Sequence, residues 1–215
     1  MLLEPAQLRA ALERSRGRVS AVSDRMQRRL VSGGHIPRDV DPPPGIQPRD
    51  AAVLALLYPH QDQLTMILTE RAMHLGRHSG QISFPGGGRD PSDATLWETA
   101  LRETREEVGA HLPDAEPWAQ LEPIYVSVSN YRVTGYVSFT PTRPRFVASP
   151  DEVAALIEVP LAHLLSGGSF STAERDYQDR RVLEGHFRYG ERRIWGATAL
   201  LIDQILHRIT RGLAE

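Results

Sequence analysis

Residues 101–109 read Leu-Arg-Glu-Thr-Arg-Glu-Glu-Val-Gly, and they carry the most informative pattern in the chain. Glu103, Glu106 and Glu107 lie at positions i, i+3 and i+4, which places their side chains on one face of a helix. Like charges at this spacing repel each other, and the helix dipole disfavours anions near a C-terminus. A helix selected only for stability would not concentrate carboxylates there, so we expect a compensating positive charge.

Two sources of that charge are available. Arg102 lies four residues before Glu106 and supplies part of it. A hard divalent cation such as Mg²⁺ or Mn²⁺ would supply the rest, because these ions prefer carboxylate and water oxygens. Taken alone, the helix favours a simpler interpretation, in which a solvated acidic face is balanced by arginine–glutamate pairs.

The flanking sequence sets the bounds of this helix and changes the balance between the two interpretations. We predict a helix from about 94 to 108, with Ser92 or Asp93 as its cap and Gly109 as the residue that ends it. Phe-Pro-Gly-Gly-Gly at 84–88 predicts a loop, whose glycines let the backbone come close to a ligand or metal. A free carbonyl in such a loop is a good additional metal ligand.

Together these residues resemble the Nudix box, in which a glycine loop precedes a helix that bears Arg-Glu-x-x-Glu-Glu-x-Gly. The second half matches most closely. Asp93 stands where the box usually has glutamate, with one extra residue before Arg102, and Thr104 occupies a position that is usually aliphatic. The first departure concerns a supporting position and not the metal-binding cluster.

The resemblance implies an α+β fold, a Nudix-type mixed β-sheet flanked by helices in an α/β/α sandwich. It also implies that the box helix holds divalent cations, Mg²⁺ or Mn²⁺. Glu103 and Glu107 would be the main metal ligands, and Glu106 a further one, directly or through water. Gly87 would offer its carbonyl, and Arg102 would orient the carboxylates by a charge-assisted hydrogen bond.

The segment before the box narrows the resemblance. Residues 68–72 (LTERA) and 78–87 (HSGQISFPGG) are similar to the signature of the coenzyme A (CoA) pyrophosphatase branch, and the likeness covers roughly residues 50–210. It implies metal-dependent hydrolysis of a phosphoanhydride bond in CoA or a CoA derivative, giving 3′,5′-ADP and (acyl-)4′-phosphopantetheine. Gly76 stands where this branch usually has arginine. Hydrolysis of ADP-ribose, dinucleotides or nucleoside triphosphates therefore stays open, as does a non-catalytic module that senses a nucleotide.

Candidate substrate-binding residues follow from the same branch. Arg71, Arg77 and Arg89 are suited to the 3′-phosphate of CoA, because guanidinium groups bind phosphate in a bidentate way. Gln81 is a candidate for a phosphate contact. Simple surface charge explains each arginine equally well, and a structural role explains Gln81 equally well.

The general base has two candidates. Glu106 belongs to the box itself. Glu152 lies in the Ser-Pro-Asp-Glu-Val stretch at 149–153, a loop just before a predicted strand. A cap or a surface acid is an equally good interpretation of Glu152, so the sequence leaves the choice open.

Composition limits the remaining function classes. The chain has 215 residues, a net charge of −2, no cysteine and no lysine. These absences exclude thiol nucleophiles, cysteine-ligated metals and Schiff-base chemistry. The charge argues against a nucleic-acid partner, and the lack of a long apolar run argues against a membrane. We expect a cytoplasmic protein with a small-molecule nucleotide substrate, and a homodimer is possible.

The rest of the chain predicts a mixed α/β arrangement. An amphipathic helix at 5–31 and a proline-rich linker make an N-terminal extension over 1–48, which serves as a packing arm or a dimer contact, and a single Nudix domain occupies 49–215. Apolar or alternating runs predict strands at 51–58, 64–69, 120–128, 132–139, 154–159, 183–189 and 192–195. Helical patterns predict further helices at 161–165 and 197–211.

Overall fold

The structure, a computed structural model, describes residues 4–17, 20–36, 41–72, 80–177 and 179–215. Its helices are α1 (Pro5–Arg14), α2 (Leu96–Val108), α3 (Leu161–Leu165) and α4 (Gly196–Ala214), with a 3₁₀ turn at Asp24–Met26. Its strands are β1 (Arg28–Leu30), β2 (His35–Ile36), β3 (Arg49–His60), β4 (Gln63–Arg71), β5 (Ile82–Ser83), β6 (Gly86–Gly88), β7 (Ala119–Gln120), β8 (Ile124–Val126), β9 (Tyr131–Phe139), β10 (Val153–Pro160), β11 (Phe170–Tyr177), β12 (Arg180–Tyr189) and β13 (Arg192–Ile194).

The larger sheet forms the centre of an α+β sandwich. Its strand order is β10-β4-β3-β9-β7, with β5, β6 and β8 paired to β4, β3 and β9. The long strand β3 runs parallel to β9 and antiparallel to β4 and β6. Successive side chains of β3 point to opposite faces: Leu54 and Leu56 pack in the layer that contains α2, and Ala55 and Leu57 in the layer that contains α4.

A second, smaller sheet lies beside this sandwich. Its strand order is β11-β12-β1-β2, with β13 paired to β12, and all of these pairs are antiparallel. Its strand β1 comes from the N-terminal segment, whereas β11, β12 and β13 follow α3. The two ends of the chain therefore meet in one sheet.

The predicted helix at 5–31 was wrong in length, because α1 ends at Arg14. The chain turns at Gly17, where φ is +68°, a conformation that glycine adopts at low cost. The apolar Val22 and Met26 are buried by tertiary packing, not by a helical stripe. Arg14 donates two hydrogen bonds to the Gly212 carbonyl, so α1 is fastened to α4 and the segment packs against the rest of the chain.

Most other predicted elements are confirmed within a few residues, including the β12–β13 hairpin and the closing helix α4. Two predictions differ from the structure: the loop at 84–93 contains β6, and the single strand at 120–128 is two short strands. The strands β2 and β11 were not predicted. Within the described ranges, none of the helices combines the length and apolar character needed to cross a bilayer.

Candidate functional site

Helix α2 is fixed in place at both ends. Thr95 is its N-cap, in place of the predicted Ser92 or Asp93, and its hydroxyl accepts a hydrogen bond from the Glu98 amide at 3.2 Å. The Glu98 carboxylate accepts in return from the amide of Ala94, the residue before the cap, at 2.8 Å, so the start of the helix is held by two reciprocal side-chain contacts. Gly109 ends the helix with φ of +70°, as predicted.

Asp93 holds the loop before the helix to Arg102. Its carboxylate accepts hydrogen bonds from Arg102 Nε and Nη2, both at 3.0 Å, and from the Asp90 amide and Thr99 hydroxyl, both at 2.9 Å. The Arg102 hydrogen bonds are the main reason why the pKa of Asp93 falls to about 2. Although aspartate is shorter than the usual glutamate at this box position, both of its carboxylate oxygens therefore bind Arg102.

Arg102 connects this loop to the glutamates. Its Nη2 donates to the Gly88 carbonyl at 3.0 Å, and its Nη1 donates to Glu103 at 2.8 Å and to Glu106 at 3.0 Å. This is the contact that the resemblance implied for Arg102. Thr104, on the opposite face, is fully buried and donates to the Ala100 carbonyl at 2.6 Å, so it fills an aliphatic position without an unpaired hydroxyl.

The three box glutamates lie in three different environments. Glu107 is 6% exposed, the Glu103 side chain 16% and the Glu106 side chain 49%. At 100° per residue, Glu107 lies about 40° from Glu103 on the helix, whereas Glu106 lies about 60° away on the other side. The inner pair faces the protein, and Glu106 faces solvent beside Arg102.

The glycine strand β6 makes room for the inner carboxylates. A Cβ atom at Gly87 would lie 2.5 Å from Glu103 Cδ, so only glycine allows the backbone to pass this close. The Gly86 amide donates to Glu107 at 3.3 Å. Strand β6 is itself held on β3, through the pair Ala52–Gly87.

The positive charge beside the inner carboxylates does not offset their burial and mutual repulsion. The pKa of Glu107 is raised to about 8, mainly because the carboxyl is buried; the charges of Glu103 and Glu152 contribute to the rise, and the Gly86 hydrogen bond opposes it. Burial also raises the pKa of Glu103, in spite of its bond to Arg102. Three carboxylates that repel one another beside the glycine strand form a donor set that suits a hard divalent cation.

The carboxylates do not surround a metal position in this structure. Among the described residues, no group of three His, Asp or Glu side chains converges in a metal-binding arrangement. Arg102 accounts for part of this, because its Nη1 occupies one oxygen of Glu103 and one of Glu106. A cation held by Glu103 would compete with that arginine contact.

A cleft of about 730 Å³ opens in front of the inner glutamates. Glu103, Glu107 and Glu152 line it together with Gly87, and so do two predicted substrate-binding residues, Arg71 and Gln81. Of the two base candidates, Glu152 lines this cleft, whereas Glu106 lies outside the lining beside Arg102.

Two of the predicted site residues lie elsewhere. Arg89 is outside the cleft lining, because its guanidinium donates to the carbonyls of Asp93 and Ala94 and holds the loop. Arg77, like the neighbouring Gly76, lies outside the described residues.

The opposite wall of the cleft comes from the smaller sheet, and sequence reasoning missed it. Its residues include Arg28, Arg175, Tyr177, Glu184 and Trp195. Residues 173–177 read Ala-Glu-Arg-Asp-Tyr, and three consecutive charged residues in a short segment look like a loop. Which residues face the cleft depends on a pairing between distant segments.

Comparisons with known proteins agree with this geometry. A family model described as NUDIX domain matches residues 48–179. The uncharacterized Nudix hydrolase NudL of Pectobacterium atrosepticum is 37% identical over 174 residues, which cover 78% of this chain and 88% of the relative. The mitochondrial coenzyme A diphosphatase NUDT8 of Homo sapiens is 35% identical over 175 residues, which cover 77% of this chain and 72% of the relative.

Solved structures show the same fold at lower identity. The NUDIX domain of Shewanella oneidensis NrtR, complexed with ADP ribose, matches with a TM-score of 0.53 and 18% identity, over 80% of this chain and 94% of that one. A MutT/nudix family protein from Enterococcus faecalis matches with a TM-score of 0.55 and 19% identity, over 79% of this chain and 65% of that one.

Proposed function

The chain belongs to the Nudix family, and from that premise we propose that it is a metal-dependent diphosphatase acting on CoA or a CoA derivative. The products would be 3′,5′-ADP and (acyl-)4′-phosphopantetheine. The observation that carries the substrate is the 35% identity to a coenzyme A diphosphatase over most of both chains. The cleft supports the chemistry, because it places paired carboxylates beside basic and amide side chains. The cytoplasmic location and the homodimer stay predictions.

Glu103, Glu107 and the Gly87 carbonyl would hold the metal, which we propose is Mg²⁺ or Mn²⁺. When bound, such an ion neutralises the oxygens of the diphosphate and of the departing phosphate. Glu106 is half exposed and outside the cleft lining, so its metal contact stays a prediction. Arg102 acts as a positioning residue, because it fixes the Glu103 carboxylate relative to the glycine strand.

Glu152 is the general base that we propose for the attacking water. It lies in the cleft with the inner glutamates, whereas Glu106 is engaged by Arg102. The water gives one proton to the Glu152 carboxylate, and its oxygen bonds to one phosphorus of the diphosphate. The bond between that phosphorus and the bridging oxygen breaks, and the bridging oxygen leaves with the second phosphate.

Arg71 and Gln81 would bind the substrate phosphates, since both line the cleft. Arg77 stays a predicted substrate contact. Arg89 is not included, because loop carbonyls occupy its guanidinium.

Mass spectrometry of the products tests the activity directly. The purified protein is incubated with CoA and Mg²⁺ or Mn²⁺ in ¹⁸O-labelled water. We expect 3′,5′-ADP and 4′-phosphopantetheine, with the label on one product only, which identifies the phosphorus attacked. Cleavage of ADP-ribose or dinucleotides without cleavage of CoA would refute the substrate, and no turnover of any of them would favour a sensing module.

Two variants separate catalysis from folding. Glu103→Gln should abolish turnover and leave the circular dichroism spectrum unchanged. Glu152→Gln should lower kcat much more than Glu106→Gln does, because only Glu152 lies in the cleft. The reverse order would transfer the role of base to Glu106.

A further inference from the structure

The wall of the cleft opposite the glutamates carries a cluster of charged and aromatic side chains, which we call the arginine wall: Arg28, Arg175, Tyr177, Glu184 and Trp195. Strand register explains why it forms. Ala173 of β11 pairs with Glu184 of β12, so Arg175 and Tyr177 share its face of the sheet. On the other side, Leu30 pairs with Val182, which places Arg28 of β1 beside Glu184 on that same face.

The arginine wall carries more positive charge than negative. Glu184 is 1% exposed and accepts a hydrogen bond from Arg175 Nη1 at 2.8 Å. Arg28 Nε lies 3.5 Å from the same carboxylate, and it is buried without a hydrogen bond among the described residues. Within the five residues of the arginine wall, two guanidinium groups therefore accompany one carboxylate.

Aromatic rings fix the orientation of both guanidinium groups. The Arg28 guanidinium lies 4.0 Å from the Tyr177 ring centroid, and that of Arg175 lies 5.5 Å from the Trp195 centroid. A guanidinium stacked on a ring keeps its N–H edge available for an anion. Helix α4 begins next to Trp195 in the same wall, and among the described residues no side chain caps its positive end.

We propose that Arg28 and Arg175 bind a second anionic group of the substrate, an oxyanion separate from the diphosphate that is cleaved. This inference rests on the proposed function. In CoA the group is the 3′-phosphate of the nucleotide half, and in a dicarboxylic acyl-CoA it is the terminal carboxylate. The arginine wall is then the specificity-determining site of the enzyme, located away from the box residues.

Kinetics of Arg175→Gln on matched substrates test the inference. Arg175 is the better position, because Arg28 still balances the buried Glu184 when Arg175 is neutralised. We expect the native protein to prefer CoA over 3′-dephospho-CoA in kcat/KM by at least about tenfold, since a hydrogen bond between charged groups is worth about that much. Arg175→Gln should remove this preference, and Arg175→Lys should restore part of it.

A second substrate pair identifies the source of the anion. If the native protein instead prefers succinyl-CoA over butyryl-CoA, and Arg175→Gln removes that preference, the inference holds with a carboxylate as ligand. Arg181→Gln is the matched control. This arginine lies on β12 of the same sheet but is 71% exposed, and its substitution should leave every ratio unchanged.

The outcomes separate the two claims. If the native protein cleaves CoA and Arg175→Gln leaves both substrate preferences unchanged, the inference is overturned and the proposed function stands. Native protein that cleaves no CoA compound overturns the proposed function and the inference with it. If Arg175→Gln does not fold, inhibition of the native protein decides: 3′,5′-ADP should inhibit at least about tenfold better than 5′-AMP, or succinyl-CoA better than butyryl-CoA. Equal inhibition within both pairs overturns the inference.

Discussion

Replacement of Gly87 by alanine should lower kcat about 100-fold and leave the protein folded. The added Cβ would lie 2.5 Å from Glu103 Cδ, whereas ordinary contacts begin at 3.4 Å, so the carboxylate must retreat by about 0.9 Å (3.4 − 2.5). That shift also disturbs the 2.8 Å bond from Arg102 to Glu103. A displacement of about 1 Å in a catalytic group costs roughly 100-fold in rate, and we expect a loss in kcat of that size.

Stability should change little, because the new methyl group meets the end of a flexible side chain and not backbone. We expect the free energy of unfolding to stay within about 1 kcal/mol of the native value, since alanine also restricts the unfolded chain. Urea denaturation measures this, and CoA turnover with Mg²⁺ measures the rate.

Gly88→Ala is the matched control on the same strand. Its Cβ would lie 3.0 Å from the Tyr131 hydroxyl, which a shift of about 0.4 Å (3.4 − 3.0) relieves without moving a carboxylate. We expect its activity within about threefold of the native value. The reasoning is refuted if Gly87→Ala keeps native turnover, or if Gly88→Ala is equally damaging.

Two further predictions concern charge. Glu107→Gln should abolish turnover, yet it should stabilise the metal-free protein by about 1–3 kcal/mol at pH 8. The reason is that the pKa of the buried Glu107 is raised to about 8, whereas the same group in the unfolded chain ionises near pH 4.5. The stability of the native protein therefore falls as pH rises from about 4.5 to about 8. Urea denaturation in EDTA at pH 5 and pH 8 checks it, and no gain at pH 8 would contradict it. The hydrogen bond to Asp203 raises the pKa of His207, so the stabilisation is present below about pH 6.5 and is lost as pH rises above the folded-state pKa. His207→Gln should lower the free energy of unfolding by about 0.5 kcal/mol at pH 5.5, a small effect because the His207 side chain is 40% exposed. The loss should be smaller at pH 9. Thermal denaturation at both pH values measures this, and equal losses would argue against the prediction.

The box helix was predictable because its determinants are local. The apolar face, the charge pattern and Gly109 all lie within a few turns, and α2 follows them closely. What the pattern did not predict is the difference among the glutamates. Burial of Glu107 depends on β6 crossing in front of it, and this comes from the Ala52–Gly87 pair between strands that are distant in sequence.

The smaller sheet was not predictable in the same way. Residues 28–30 come directly after apolar residues spaced as in a helix, and the predicted helix at 5–31 therefore included them. The pairing of Arg29 with Leu183 instead makes them a strand. Strand β11 carries alternating charges that resemble a loop until β12 lies beside it. A contact between segments so far apart leaves no periodic signal in either one.

The residues that the sequence predicts and those that it does not belong to different parts of the cleft. The glutamates and the glycine strand lie inside residues 48–179, the part that the family model matches. Arg175 and Tyr177 of the arginine wall also lie inside it, whereas Arg28 precedes it and Glu184 and Trp195 follow it. Arg28 reaches the wall because β1 pairs with β12. The matched part therefore holds the box residues and two members of the wall, and the segments on either side complete the wall. Under the proposed function, we expect relatives with the same box to differ in substrate where these flanking segments differ.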